Sequence, residues 1–128
     1  MMDSEHVSET VYICDAAQLE EGGKGVRFPV TAGGEDCIAF VVRYGGEPRA
    51  YLNRCVHIPM ELDWNEGEFF EPSGLYLMCA THGALYEPDT GHCAGGPCRG
   101  GRLHAIVTIE RDNQIFWQPD DYVRPVIA

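Results

Sequence analysis

Two short segments carry side chains suited to binding metal: Cys55-Val56-His57 and Cys79-Ala80-Thr81-His82, with 21 residues between them. Each supplies one thiolate and one imidazole, ligands that suit zinc and iron. In extended chain, residues two apart point the same way and lie roughly 6–7 Å apart at the backbone. That separation suits Cys55 and His57 on neighbouring metal atoms. Structural zinc sites more often space each ligand pair by two or more residues. The spacing favours a dinuclear centre and leaves zinc open.

The elements that must position these residues read as short strands. Val11-Tyr12-Ile13-Cys14 is rich in β-branched and aromatic residues and predicts a first strand. Asp15 caps a short helical segment predicted over residues 16–21, stopped by Gly22-Gly23. Val26-Arg27-Phe28-Pro29-Val30 predicts a second strand, placed at an edge by its proline. Residues 37–43 predict a strand buried on both faces, and Gly45-Gly46 a hairpin into residues 49–53. Further strands are expected at 75–79, then 84–86, 103–110 and, after a turn at Arg111-Asp112-Asn113, 114–117. Residues 61–74 hold Glu61, Asp63, Glu66, Glu68 and Glu71 and predict a long acidic loop. The tail from Asp120 is expected to pack Val123, Val126 and Ile127 back onto the sheet.

Together these features predict one all-β domain over residues 1–128, with a metal-binding region at about 50–100. The 15 glycines follow no repeat, in keeping with many turns. The formal net charge is −11, which repels phosphate backbones and argues against nucleic-acid or anionic-membrane binding. A partner with a basic docking face fits it better. Residues 1–10 have neither a basic nor an apolar leader segment, and no apolar run is long enough for a bilayer, so the expected location is cytoplasmic.

Cys-x-His followed by Cys-x-x-His-Gly resembles the ligand pattern of Rieske-type [2Fe-2S] proteins. The likeness continues through Gly83-Ala84-Leu85-Tyr86-Glu87-Pro88-Asp89-Thr90-Gly91 and the Gly96-Pro97 segment, and covers residues 50–117. It implies a β-sandwich or barrel base with a small cluster-binding subdomain. It also implies that Cys55 and Cys79 hold one iron, with His57 and His82 on the other. Tyr86 would donate to a ligand sulfur, and Pro97 would belong to the segment covering the cluster. Met60 and Thr81 stand where respiratory members carry a disulfide, and Ala84 replaces a hydroxyl residue of high-potential members. Losing a donor to sulfur lowers the potential, so the resemblance implies the lower part of a range of roughly −150 to +300 mV.

The implied function is that of a free-standing Rieske ferredoxin. It would be a one-electron carrier with no catalytic residues, moving charge between protein partners such as a reductase and an oxygenase. The alternatives are a cluster-based redox sensor and a zinc-stabilised interaction module. Outside the ligand set, Cys14 and Cys37 are expected to be core thiols. Cys93 and Cys98 are expected to be free thiols in a reducing compartment, with a bridge or an oxidation-sensing pair as the alternative. His6, His92 and His104 lack ligand spacing. Trp64, Phe69 and Phe70 are expected to pack the acidic loop onto the domain, rather than to anchor a partner.

Overall fold

The computed structural model describes residues 10–54, 61–63, 65–80 and 83–126. Among the described residues ten strands succeed one another: β1 (Val11–Asp15), β2 (Val26–Ala32), β3 (Glu35–Tyr44), β4 (Glu47–Leu52) and β5 (Leu77–Met78). Then come β6 (Leu85–Tyr86), β7 (Cys93–Gly95), β8 (Ala105–Arg111), β9 (Gln114–Gln118) and β10 (Val123–Arg124). The larger sheet has the order β1-β9-β8-β4-β3-β2-β10, and β5-β6-β7 form a small sheet. All of the strand ladders are antiparallel. The expected all-β base with a small subdomain is what the chain forms.

The large sheet curls on itself. Phe28 of β2 and Trp117 of β9 lie far apart in the strand order, yet their ring centroids are 5.6 Å apart inside the curl. Around them pack Cys14, Val30, Ile115 and Val123, all buried. β3 explains how the small sheet is attached. Ala39 and Val41 face the inner core, while Phe40 and Val42 face a second core shared with Leu77, Ala84 and Tyr86. Successive side chains of a strand point to opposite faces, so one apolar run feeds both cores. The expectation of a doubly buried strand holds.

The hairpin after β3 turns on Gly45 (φ 66°) and Gly46 (φ 80°), the left-handed pair that a tight two-residue turn requires. Asp112 (φ 54°) and Asn113 (φ 64°) do the same for β8 and β9. Glu21 accepts hydrogen bonds from the Gly45 and Gly46 amides (2.6 and 2.8 Å), and these hold its carboxyl below the usual carboxylate range.

Several sequence expectations need correction. The helical segment is a single 3-10 turn, Ala16–Gln18, because Leu19 leaves the helix to bury its side chain in the inner core. Proline 29 sits on the second-to-outermost strand, but β10 pairs only with Thr31 and Ala32, so no outer partner requires its missing amide. The strand expected over 75–79 shortens to Leu77–Met78, since Leu75 and Tyr76 are exposed. In the tail Val123 is buried and Val126 is 44% exposed, while Ile127 lies outside the described residues. Among the described residues, no helix is long and apolar enough to cross a membrane.

Candidate metal centre

Cys79 follows β5 and is fully buried. Its amide donates to the Ala84 carbonyl (2.8 Å) and its carbonyl accepts from the Gly83 amide (2.8 Å), closing a tight loop between β5 and β6. Thr81 and His82 lie outside the described residues, as do Cys55, His57 and Met60. Cys79 is thus the one expected ligand whose position is described. Among the described residues no group of three or more His, Cys, Asp or Glu could hold a metal ion.

The flanks of the two ligand segments nevertheless meet. Asn53, two residues before Cys55, accepts from the Leu62 amide through Oδ1 (2.7 Å). The Leu62 carbonyl accepts from the Ala80 amide (2.9 Å), next to Cys79. Leu62 therefore links the two ends of the first segment to the start of the second. Buried Asp63 fixes this link: its carboxylate accepts from Asn53 Nδ2 (2.8 Å), the Gly67 amide (2.9 Å) and Arg27 Nη1 (3.1 Å). Sequence reading placed Asp63 among the acids of a long loop and gave it no separate role. Its burial follows from Arg27 of β2 and Asn53, just past β4, converging on it, which spacing alone does not reveal.

The acidic loop is engaged with its own protein. Glu61 and Glu66 approach Arg27 at 3.1 and 3.6 Å. Glu68 accepts from Asn65, and Glu71 accepts from the amides of Ser73, Leu75 and Tyr76. Those bonds, with one from the Ser73 hydroxyl, hold the Glu71 carboxyl below its ordinary range. Phe69 is buried and stacks on Phe40 at 3.8 Å between centroids, so the loop is packed onto the domain as expected. Trp64 lies outside the described residues.

A second loop covers the Cys79 turn. At Gly96 (φ 85°) a Cβ would stand 2.9 Å from the Gly83 carbonyl oxygen and 3.1 Å from Ala84 Cα. Only glycine permits that approach. Ala84 and Tyr86 are buried and Pro97 is exposed. Here one expectation fails: Cys93 and Cys98 are joined in a disulfide, with Cα atoms 5.6 Å apart. The loop brings them within bridging reach, which compartment arguments cannot foresee. Tyr51 ties the small sheet to the base by donating its hydroxyl to the Pro88 carbonyl (2.7 Å); burial pushes its pKa up to about 12.

Cys14 is buried, and its thiol pKa is raised by that burial. Cys37 is only half-buried, with Arg54 Nη2 3.7 Å from its sulfur. His92 is exposed, and His104 approaches Asp120 at 3.7 Å; His6 lies outside the described residues.

Comparison with known proteins places these features in a family. The Rieske [2Fe-2S] domain profile matches residues 9–110. No curated protein matches in sequence. Among solved structures, the ferredoxin of carbazole 1,9a-dioxygenase from Nocardioides aromaticivorans IC177 is similar over 88% of this chain and 100% of its own, with 25% identity and a TM-score of 0.69. The Sphingomonas yanoikuyae B1 ferredoxin covers 87% of this chain and 100% of its own, at 20% identity and TM-score 0.65. A chain from a complex of reduced oxygenase and oxidized ferredoxin in carbazole 1,9a-dioxygenase covers 88% of this chain and 93% of its own, at 20% identity and TM-score 0.65.

The domain implies one [2Fe-2S] cluster. The described residues fit that group: a buried thiol in a tight hairpin loop, a backbone cover that leaves no room for a side chain, and a rigid link to the other ligand segment. The profile spans most of the sequence and its expected thiolate is held in such a cradle; the chain belongs to the Rieske [2Fe-2S] domain family.

Proposed function

We propose that Cys55 and Cys79 hold one iron of the cluster through sulfur, and His57 and His82 the other through nitrogen. When bound, the cluster accepts and returns a single electron. The observation that supports a carrier role is the likeness to the Nocardioides ferredoxin along that protein's whole length, at 25% identity. The protein moves electrons between a reductase and an oxygenase, as a solved complex of carbazole 1,9a-dioxygenase pairs a ferredoxin with its oxygenase.

Each part of the chain has a task in this reading. The Leu62 link fixes the separation of the two ligand segments, and the Gly96 approach keeps water from the Cys79 turn. Tyr86 donates to a ligand sulfur, while Ala84 contributes no hydroxyl, which keeps the potential in the lower part of the Rieske range. Partner attraction falls to exposed acids that the acidic loop does not engage, such as Glu87 and Asp89, and salt screens it. A cytoplasmic site of action belongs to the same proposal.

Iron and acid-labile sulfide analysis, followed by electron paramagnetic resonance of the reduced protein, tests the centre. A colourless protein containing zinc would replace this reading with an interaction module. Rapid reversible reduction by a flavin reductase supports the carrier; partner binding that depends on cluster state without turnover supports a sensor.

A further inference from the structure

We propose that Cys93 and Cys98 form a second redox site, a two-electron dithiol/disulfide couple that sets how closely the 93–98 loop covers the second ligand segment. The proposal rests on the reading above for the position of the cluster.

Three observations carry it. The bridge closes a short ring, five residues apart in sequence, that includes Gly96, whose backbone is pressed against Gly83 and Ala84. Cys93 itself lies opposite Tyr86 across the β6–β7 ladder. So short a ring constrains the unfolded chain little, and its main effect is on this local cover. Second, both oxidation states are accommodated. Cys98 Sγ lies 3.4 Å from the Leu85 carbonyl oxygen and 3.3 Å from that of Gly95, and Cys93 Sγ lies 3.6 Å from the Gly95 oxygen. These carbonyls are placed to accept the S–H groups that opening creates. Third, the two sulfurs differ in access. Cys98 is buried, whereas half-buried Cys93 lines a surface pocket of about 270 Å³ that also includes Arg99 and Gly100.

The partner chemistry is that of a reducing dithiol. One of its thiolates, favoured by the nearby Arg99 cation, attacks Cys93 Sγ. The Cys93–Cys98 bond breaks, and Cys98 leaves and takes up a proton. The second thiolate of the dithiol then attacks the mixed disulfide. Cys93 is released and protonated, and the dithiol becomes a disulfide. Two electrons and two protons have passed to the protein. The loop is then free to lift from Gly83, admitting water beside the ligand segment. Water stabilises the more negative, reduced form of the centre, so opening raises its potential.

The test uses purified cluster-loaded protein in anaerobic buffers of oxidised and reduced dithiothreitol. Thiol alkylation read by mass spectrometry counts opened cysteines; closed and opened protein, freed of dithiothreitol, are then poised with mediators at one common potential, where paramagnetic resonance reads the cluster's oxidation state. The expected result is joint alkylation of Cys93 and Cys98 with iron retained. The ratio of reduced to oxidised cluster should rise at least tenfold, equivalent to about 59 mV for a one-electron couple. A Cys93→Ser/Cys98→Ser variant should match the opened form; if it does not hold iron, opened wild-type protein supplies the same comparison. A bridge that stays closed across the dithiothreitol range overturns the proposal, as does one that opens without moving that ratio. Protein lacking iron and sulfide from the outset would instead overturn the carrier reading, and the alkylation count distinguishes the two failures.

Discussion

Asn53 Nδ2 donates to Asp63 Oδ1 at 2.8 Å, and both side chains are buried. The Asp63 carboxylate also faces Arg27 at 3.1 Å, so its removal takes away the guanidinium's buried partner and leaves it only the more exposed Glu61 and Glu66. Asp63→Ala is expected to cost about 3 kcal/mol of stability, by the rule that breaking one side of a buried ion pair is expensive. Chemical denaturation checks this. Asp63→Asn, which keeps the shape, should cost less, and both variants should lose iron faster than wild type.

Tyr51 is the matching tie on the other side of the small sheet. Tyr51→Phe leaves the Pro88 carbonyl without its 2.7 Å donor and is expected to cost about 1–2 kcal/mol. The native pKa of about 12 lies above the ordinary tyrosine value of about 10, so the native state holds this proton more tightly than the unfolded chain. Its stabilising contribution is complete below pH 10 and declines as pH rises from 10 towards 12. Alkaline melting curves should show that decline in wild type and a shallower one in the variant.

How much of this was readable beforehand depends on the range of the interactions. The double burial of β3 was legible because the run Ala39-Phe40-Val41-Val42 is apolar at every position. The Gly45-Gly46 and Asp112-Asn113 turns were legible because left-handed backbone selects residue type. The ligand motif was legible from spacing and family resemblance. Burial of Asp63 and the Cys93–Cys98 bridge were not. Each depends on partners brought together by the tertiary fold, in one case across 36 residues from Arg27. The short strand β7 also escaped notice, since Cys93-Ala94-Gly95 has little β propensity and is held by pairing with β6.

Gly96→Ala tests the cover directly. The added methyl would meet the Gly83 carbonyl oxygen at 2.9 Å, and φ of 85° is unfavourable to any L side chain. The expected loss is about 1–3 kcal/mol, with lower iron content on purification. A fully loaded and equally stable variant would contradict the close approach.

Glu71 provides a pH test at the loop. Its carboxyl is held below its ordinary pKa by the Ser73 hydroxyl and by three backbone amides, so its contribution is present above the unfolded pKa and is lost as pH falls through the native one. The protection factors for amide exchange at Leu75 and Tyr76, corrected for the intrinsic rate, should therefore fall on acidification. In Glu71→Gln they should already be lower at neutral pH and change little below.

Tyr86→Phe tests the proposed donor to sulfur. The variant should keep its cluster, since the ring still fills the core, and its midpoint potential should fall. An unchanged potential in redox titration would remove Tyr86 from the tuning of the centre.

Because Phe40 and Val42 belong to the lobe while Ala39 and Val41 belong to the barrel, the border between the two runs through the middle of a single strand. The small sheet cannot be cut out and grafted onto a foreign scaffold with its floor intact. A chimaera exchanging residues 53–104 with a relative would have to carry the outward half of β3 with it, side chain by side chain, or inherit a lobe resting on the wrong surface.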